Sequence, residues 1–572
     1  MIDQVDEARR RTFFVVSAAL LLLHVGLAWM MRVPGMLASD DGASYLALAA
    51  ALRQFSYAEL WTVGHPMHAM YPPGFPALLA LLGASGPSDV TRALVGNIAA
   101  SALGLALATV LVRRAAPHLA LPMLLICAPN PQLLFLSGRV LSEPLFMALI
   151  MTALLVLAAG RRDGKAAAMA IVAAVAAALT RSIGVALIAV VLLEFVLSRR
   201  WRSAALSAIV AVATAGAWLG WTVIAPRQSA GSSYIADAVY APPVTDAPPP
   251  TSSGSDAANP VDRVAPAVVP ESAPSLPGLV VRRIRTNLPV YLAQSSASAF
   301  SLPMIPRSYV DNAAWLALLL PATVIGFTLL VRSPQRATAL FLAAYGSVLL
   351  VWPYVMDRFL APVLPLLALL VLLGVERLAA HWTSDRTARA ATWALAAVIA
   401  SSALWSDAKR LGAIAGCERH AASLRSAACV SQPQRDFFSG VALADRLTPA
   451  DEPILTAREP AVYLLSGRLS VRQSDAMARR DPDSLVAFLR RSGVRTVLLS
   501  RLYFAEWGLA PALEARCRKY DVLARAGART VILRLRKETA APAVDGSACR
   551  AIAAWAAGDW VREVHDPKIE AW

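Results

Sequence analysis

The sequence predicts a mainly α, polytopic membrane helical bundle with a small α/β domain at its C-terminal end, outside the membrane. Three observations carry that expectation. The 572-residue chain is 57% hydrophobic and only 16% charged, too apolar for an ordinary soluble protein. About eleven apolar stretches of roughly 17–23 residues are long enough to cross a bilayer. Beyond Trp405 the composition turns mixed, with amphipathic-helix and short-strand patterns. A β-barrel is excluded, because barrel strands alternate in polarity and carry no long continuous apolar runs.

The spans expected are 13–31, 90–112, 117–136, 140–159, 165–180, 182–198, 203–224, 313–331, 337–354, 359–376 and 389–406. No small-residue cleavage site follows the first, which reads as a retained span and not a signal peptide. Pro129 and Pro131 make the third the weakest, and 76–84 reads as a half-length helix in the membrane surface. The membrane domain is thus 1–406, with a first outer loop at 32–89 and a flexible outer loop at 225–312; the appended domain is 407–572.

A net charge of +16 raises the question of nucleic acid. The basic residues are scattered over short loops with no aromatic-interleaved stripe, so that class is excluded. They read instead as topology. Arg9-Arg10-Arg11, Arg113-Arg114, Arg161-Arg162 with Lys165, Arg199-Arg200 with Arg202, Arg332 with Arg336, and Arg377 with Arg386 and Arg389 fall on alternate loops. The positive-inside rule makes those loops and the N-terminus cytoplasmic and sends the C-terminus outside. Glu194, inside a span, is expected to pair with Arg199 or Arg200.

Residues 241–277 are rich in Pro, Ser, Ala and Asp and cannot build a core. Arg282-Arg283-Ile284-Arg285 closes that loop and reads as solvated charge, with lipid headgroups or a substrate phosphate as the alternative. The 288–306 segment, mildly apolar, is expected to return along the membrane surface. In the appended domain, helices are expected at 436–447 and 483–491 and strands at 453–456, 495–500, 521–524 and 530–535, with a hairpin turn at Ala526-Gly527-Ala528. Cys127 lies in a span as inert packing. Cys417, Cys429, Cys517 and Cys549 suggest disulfides in an oxidising compartment, and sequence proximity favours 417–429 and 517–549 among the three connectivities.

The chemistry-bearing residues gather at the outer face. Asp40 and Asp41 follow the first span, and a Tyr71-Pro72-Pro73 corner turns the loop back toward the membrane. Acids at a membrane face are costly unless solvated or used. The plainer account is that Ser39 or Asp40 caps the helix after it, but capping needs one acid and two are present. Short outer loops each hold one arginine, Arg139, Arg181 and Arg358, against the topological bias. A phosphate would explain them, since guanidinium forks match phosphate oxygens; the alternative is local ion pairs, Arg139 with Glu143 and Arg358 with Asp357. The appended domain carries no phosphate loop and no histidine cluster of metal-ligand spacing.

Taken together, the segments 40–49 (Asp-Asp-Gly-Ala-Ser-Tyr-Leu-Ala-Leu-Ala), 71–79 (Tyr-Pro-Pro-Gly-Phe-Pro-Ala-Leu-Leu), 139–145 (Arg-Val-Leu-Ser-Glu-Pro-Leu), 180–184 (Thr-Arg-Ser-Ile-Gly) and 357–367 (Asp-Arg-Phe-Leu-Ala-Pro-Val-Leu-Pro-Leu-Leu) resemble the GT-C class of membrane glycosyltransferases. The likeness is to the bacterial branch of protein O-mannosyltransferases and the lipid A aminoarabinose transferase, and it runs in order across 40–367. The resemblance implies a GT-C-like bundle in the cytoplasmic (inner) membrane and an inverting-type transfer of sugar from a polyprenyl-phosphate donor to an acceptor hydroxyl at the outer face. It places the catalytic role on Asp41, with Asp40 second. Arg139, Glu143, Arg181, Arg358, Tyr71, Tyr45 and His65 are the residues expected at the donor. His65 and His68 stand where relatives sometimes carry a lysine, and Asp40-Asp41 where they often carry Asp-Glu. The partners implied are the lipid-linked sugar as co-substrate, a glycan, lipid or protein acceptor, and membrane lipids. No cofactor is demanded, and a divalent metal stays open. The competing readings are a transporter or flippase of lipid-linked sugars, which would place charge near the midplane, and a glycan ligase or polymerase.

Overall fold

A computed structural model describes residues 2–32, 41–159, 164–229, 276–301, 309–353, 355–414, 432–472, 475–476, 481–502, 504–537 and 546–557. Asp40, Cys417, Cys429 and nearly all of the Pro-rich 241–277 segment lie outside these residues. The fold is mainly α, a polytopic membrane bundle with a small C-terminal sheet. Arg10–Met30, Pro87–Ala115, Trp201–Ala225, Asp357–Trp382 and Asp385–Gly412 are long and apolar enough to cross a membrane. Pro117–Cys127 and Pro131–Ser137 meet the same test together, but the chain bends by 68° between them. The cause is local: Pro131 cannot continue the preceding helix, and Asn130 starts a new one by accepting from the amides of Gln132 and Leu133. Glu143–Ala158, Gly164–Thr180, Ser182–Leu197, Leu319–Val331 and Arg336–Val351 are shorter apolar helices.

Small residues let the bundle close. A Cβ at Gly326 or Gly374 would collide with the backbone of Leu370 or Ala322 respectively, so the Tyr309–Val331 and Leu364–Trp382 helices cross at backbone contact. At one end of the bundle, a Cβ on Gly74 would sit 2.7 Å from the Leu179 carbonyl oxygen. The Gly74–Leu81 helix, expected over 76–84, is thereby seated on the end of the Gly164–Thr180 helix.

Two charged residues are partnered differently from expectation. Glu194 takes Arg336 bidentately, at 3.0 Å for both bonds, rather than the neighbouring Arg199 and Arg200. Arg283 is not solvated: it is 5% exposed and its Nη1 donates to the Val351 carbonyl at 3.1 Å. Its helix, Leu276–Pro289, supplies Asn287 to the Leu350 and Trp352 carbonyls as well, meeting acceptors that the end of the Arg336–Val351 helix leaves open.

The C-terminal sheet has strands β1 (Ile454–Leu455), β2 (Ser470–Val471), β3 (Thr496–Leu499), β4 (Tyr520–Ala526) and β5 (Thr530–Leu535). Their order is β2-β1-β3-β5-β4. The β1 pairings are parallel, with Ile454 opposite both Ser470 and Thr496. The β3–β5 and β4–β5 pairings are antiparallel, and Gly527 at φ 62° makes the expected hairpin turn. Strand β2 and the Glu459–Ser466 helix were not expected; two residues are too few to carry an alternating pattern. The Gln432–Leu447 helix lies on the sheet through Gly440, and Cys517 is bonded to Cys549. Cys127 is buried and free.

Part of the 41–89 segment is folded into this domain. Trp61 accepts from Ser470 N at 2.8 Å and Val63 N donates to Ser470 O at 3.0 Å, so residues 61–63 extend the β2 edge. Tyr45, Leu46 and Phe75 share one apolar cluster with Phe437, Ile454 and Leu498.

Candidate functional site

Asp41 stands immediately before the Gly42–Arg53 helix, where a capping residue belongs, yet its side chain makes no capping hydrogen bond. Its carboxylate turns to two other segments. Arg358 Nη1 lies 2.8 Å from Oδ2, and the Tyr71 hydroxyl donates to Oδ1 at 2.9 Å. Tyr45, one helical turn after Asp41, packs its ring against Tyr71 and Phe75 at centroid separations of 5.0 and 4.9 Å. The Pro-Pro-Gly corner thus has a geometric role: it brings Tyr71 under the acid while Gly74 fits against the neighbouring helix end.

Arg181 sits just before, and Arg358 within, a short 3₁₀ turn. Arg358 is placed by the Asp357–Phe359 turn, which Tyr345 fixes by donating to the Phe359 carbonyl at 2.6 Å. Arg181 Nη1 reaches Glu143 Oε1 at 2.7 Å and donates to Ser142 Oγ at 2.9 Å. Arg358 Nε is 3.7 Å from the same Glu143 oxygen. Ser142 Oγ also meets the Tyr45 hydroxyl at 3.2 Å. The result is a four-charge group in which two acids and two guanidiniums alternate. The side chain of Glu143 is 2% exposed and that of Arg358, the most open, 27%.

The structure therefore brings together Asp41, Tyr45, Tyr71, Glu143, Arg181 and Arg358. The local ion pairs are replaced by long-range ones: Glu143 meets Arg181 and Arg358 rather than Arg139, and Arg358 meets Asp41 rather than Asp357. Arg139 lies apart, over the Phe135 ring at 3.8 Å with Arg410 as its charged neighbour. His65 is exposed on a turn at φ 44°. His68, with no such role expected, is the buried histidine, 2% exposed. Ser142 and Tyr345 were also missed; Ser142 lies inside the 139–145 segment, which was the available signal.

Burial is the largest influence on the Asp41 carboxyl and favours its neutral form. Arg358, the Tyr71 hydroxyl and Arg181 together outweigh it and hold the carboxyl below its usual range. Asp41 is then an ionised, acceptor-only group at neutral pH. Among the described residues no three His, Cys, Asp or Glu side chains converge to hold a metal; both acids face guanidiniums instead.

No protein-family model matches the sequence, and no curated protein sequence matches it. Solved structures do match in fold. One is ArnT from Cupriavidus metallidurans bound to undecaprenyl phosphate, with a TM-score of 0.51 and 14% identity over 93% of this chain and 99% of that one. Another is the archaeal oligosaccharyltransferase AglB from Archaeoglobus fulgidus in complex with an inhibitory peptide and a dolichol-phosphate, with a TM-score of 0.51 and 13% identity over 92% of this chain and 75% of that one. The fold is GT-C-like over most of the chain.

Proposed function

We propose that this protein is an inverting glycosyltransferase that moves a sugar from a polyprenyl-phosphate donor to an acceptor hydroxyl at the outer face of the membrane. The observation that carries the reading is the pair of guanidiniums, Arg358 on Asp41 and Arg181 on Glu143, close enough together that both lower the Asp41 carboxyl. The lipid phosphates named with two neighbours of the same fold support it. The topology that goes with it has about eleven crossings, a cytoplasmic N-terminus and an outer C-terminal domain.

The donor's isoprenoid chain stays in lipid and its phosphate enters between Arg181 and Arg358, whose N–H groups match its oxygens. Drawing Arg358 toward the phosphate takes it from Asp41 Oδ2 and leaves that carboxylate more basic. Asp41 then accepts the proton of the acceptor hydroxyl while that oxygen attacks the anomeric carbon. The bond from this carbon to the phosphate oxygen breaks, the electron pair leaves with polyprenyl phosphate, and the two arginines stabilise its growing charge. Attack opposite the leaving group inverts the anomeric centre.

Cells lacking the gene test this directly when their surface glycans are compared by mass spectrometry with those of the parent. The expected result is loss of one sugar, restored by the native chain. Unchanged glycans together with an altered membrane distribution of lipid-linked sugar would favour a flippase instead.

A further inference from the structure

One buried polar group, Glu59, His68 and Arg472, takes no part in the steps above. Their side chains are 11%, 3% and 9% exposed. Glu59 Oε2 accepts from Arg472 Nε at 2.8 Å and from the Thr62 hydroxyl at 3.1 Å. Its other oxygen lies 3.2 Å from His68 Nδ1. His68 Nε2 faces the backbone N–H of Tyr71 at 2.9 Å. An amide N–H can be met only by a ring-nitrogen lone pair, so Nε2 carries no proton and Nδ1–H donates to Glu59. The neutral imidazole is thereby used on both sides. The Tyr57 hydroxyl donates to the Tyr71 carbonyl at 2.7 Å, which pins the second backbone group of the same residue. A tyrosine has only two side-chain torsions, so a fixed backbone and the packed rings of Tyr45 and His68 leave its hydroxyl one position, on Asp41.

We propose that Arg472, Glu59 and His68 are positioning residues through which the C-terminal domain sets the Tyr71 hydroxyl on Asp41. The proposal rests on the reading of Asp41 as the general base. Arg472 follows β2, the strand edge that residues 61–63 extend, so the sheet holds the loop and the ion pair fixes its register. A general structural staple would also bury such a group. What sets this group apart is its end point: through His68 it holds the backbone N–H of Tyr71, whose carbonyl Tyr57 holds and whose hydroxyl donates to Asp41.

The test uses the full chain in vesicles made from lipid extract of source cells lacking the gene, with released polyprenyl phosphate measured against pH. Arg472→Gln is expected to lower kcat about tenfold or more with KM little changed, the scale on which small misplacements act. The acid limb of kcat moves to higher pH, because Asp41 loses a hydrogen bond to its charged form. Arg472→Lys, which keeps the charge, restores most of the rate. Tyr71→Phe alone reproduces the loss, and adding Arg472→Gln to it costs nothing further. An additive loss, a change in KM alone or an unaltered profile overturns the proposal. If Arg472→Gln does not insert, Glu59→Gln keeps the volume and is judged by the same cycle. Asp41→Asn in the same vesicles separates the two levels: if it is inactive while Arg472→Gln is normal, only the positioning proposal falls; if it is active, the reading beneath falls too.

Discussion

Around Glu59 three donors are divided over two carboxylate oxygens, His68 on one and Arg472 with Thr62 on the other. Around Glu143 the arrangement is lopsided. Arg181 and Arg358 both converge on Oε1, at 2.7 and 3.7 Å. Neither Glu143 oxygen receives a well-aligned hydrogen bond, and Arg358 Nε has no hydrogen-bond partner among the described residues. Buried polar atoms are ordinarily matched, and unmatched ones are costly. The difference separates two uses of buried charge. The saturated group holds one geometry, whereas the unsaturated group has guanidinium capacity left for an incoming anion.

The largest expected effect is on topology, because the proposed reaction requires both groups on the outer face. A reporter active only outside the cytoplasm is expected to be fully on when fused after Trp572 and off when fused at Arg162. The reverse pattern would separate the site from its donor. Next comes Arg358→Ala, which removes a proposed partner of the donor phosphate. Binding of polyprenyl phosphate to the purified chain is expected to weaken about tenfold to a hundredfold, while Arg472→Gln leaves it unchanged; equal losses in both would erase the contrast. Glu143→Gln removes the acid that competes with phosphate for both arginines. The same titration is expected to tighten, by roughly threefold to tenfold, and weaker binding would mean that Glu143 chiefly positions the arginines.

The smallest effect concerns a third buried acid, Glu506 in the C-terminal domain. Burial pushes its carboxyl up from 4.5 to about 8, despite the hydrogen bonds from Ser500 and the charge of Arg458. A raised folded-state value means that the folded protein binds the extra proton between those two pH values. Its contribution to stability is complete below pH 4.5 and is lost as pH rises through about 8. Melting curves of the native chain should therefore show stability falling across that window, and Glu506→Gln should flatten the slope.

Much of the bundle and several members of the candidate site were legible in the sequence. Long apolar runs mark the spans whatever their packing, and the lone outer arginines conflict with the charge bias of their own loops. That conflict singled out Arg181 and Arg358 correctly as members of one group, with Asp41 and Tyr71 found from the doubled acid and the proline corner. It could not distinguish Arg139, whose loop shows the same pattern but whose side chain rests on Phe135. Nor could it choose between His65 and His68, three residues apart on one loop; only folding buries the second and exposes the first. The Glu59–Arg472 pair spans 413 positions, and strand β2 is two residues long. No local periodicity reports a contact of that kind.

The most direct test of the central claim is polyprenyl-phosphate release by Asp41→Asn, measured beside donor binding in the same vesicles. Asparagine keeps the volume and can still accept from Tyr71, but it cannot take the acceptor's proton. Release is expected to fall by about 10²–10⁴-fold while donor binding persists, because Arg181 and Arg358 remain. Normal release by correctly inserted Asp41→Asn would contradict the account.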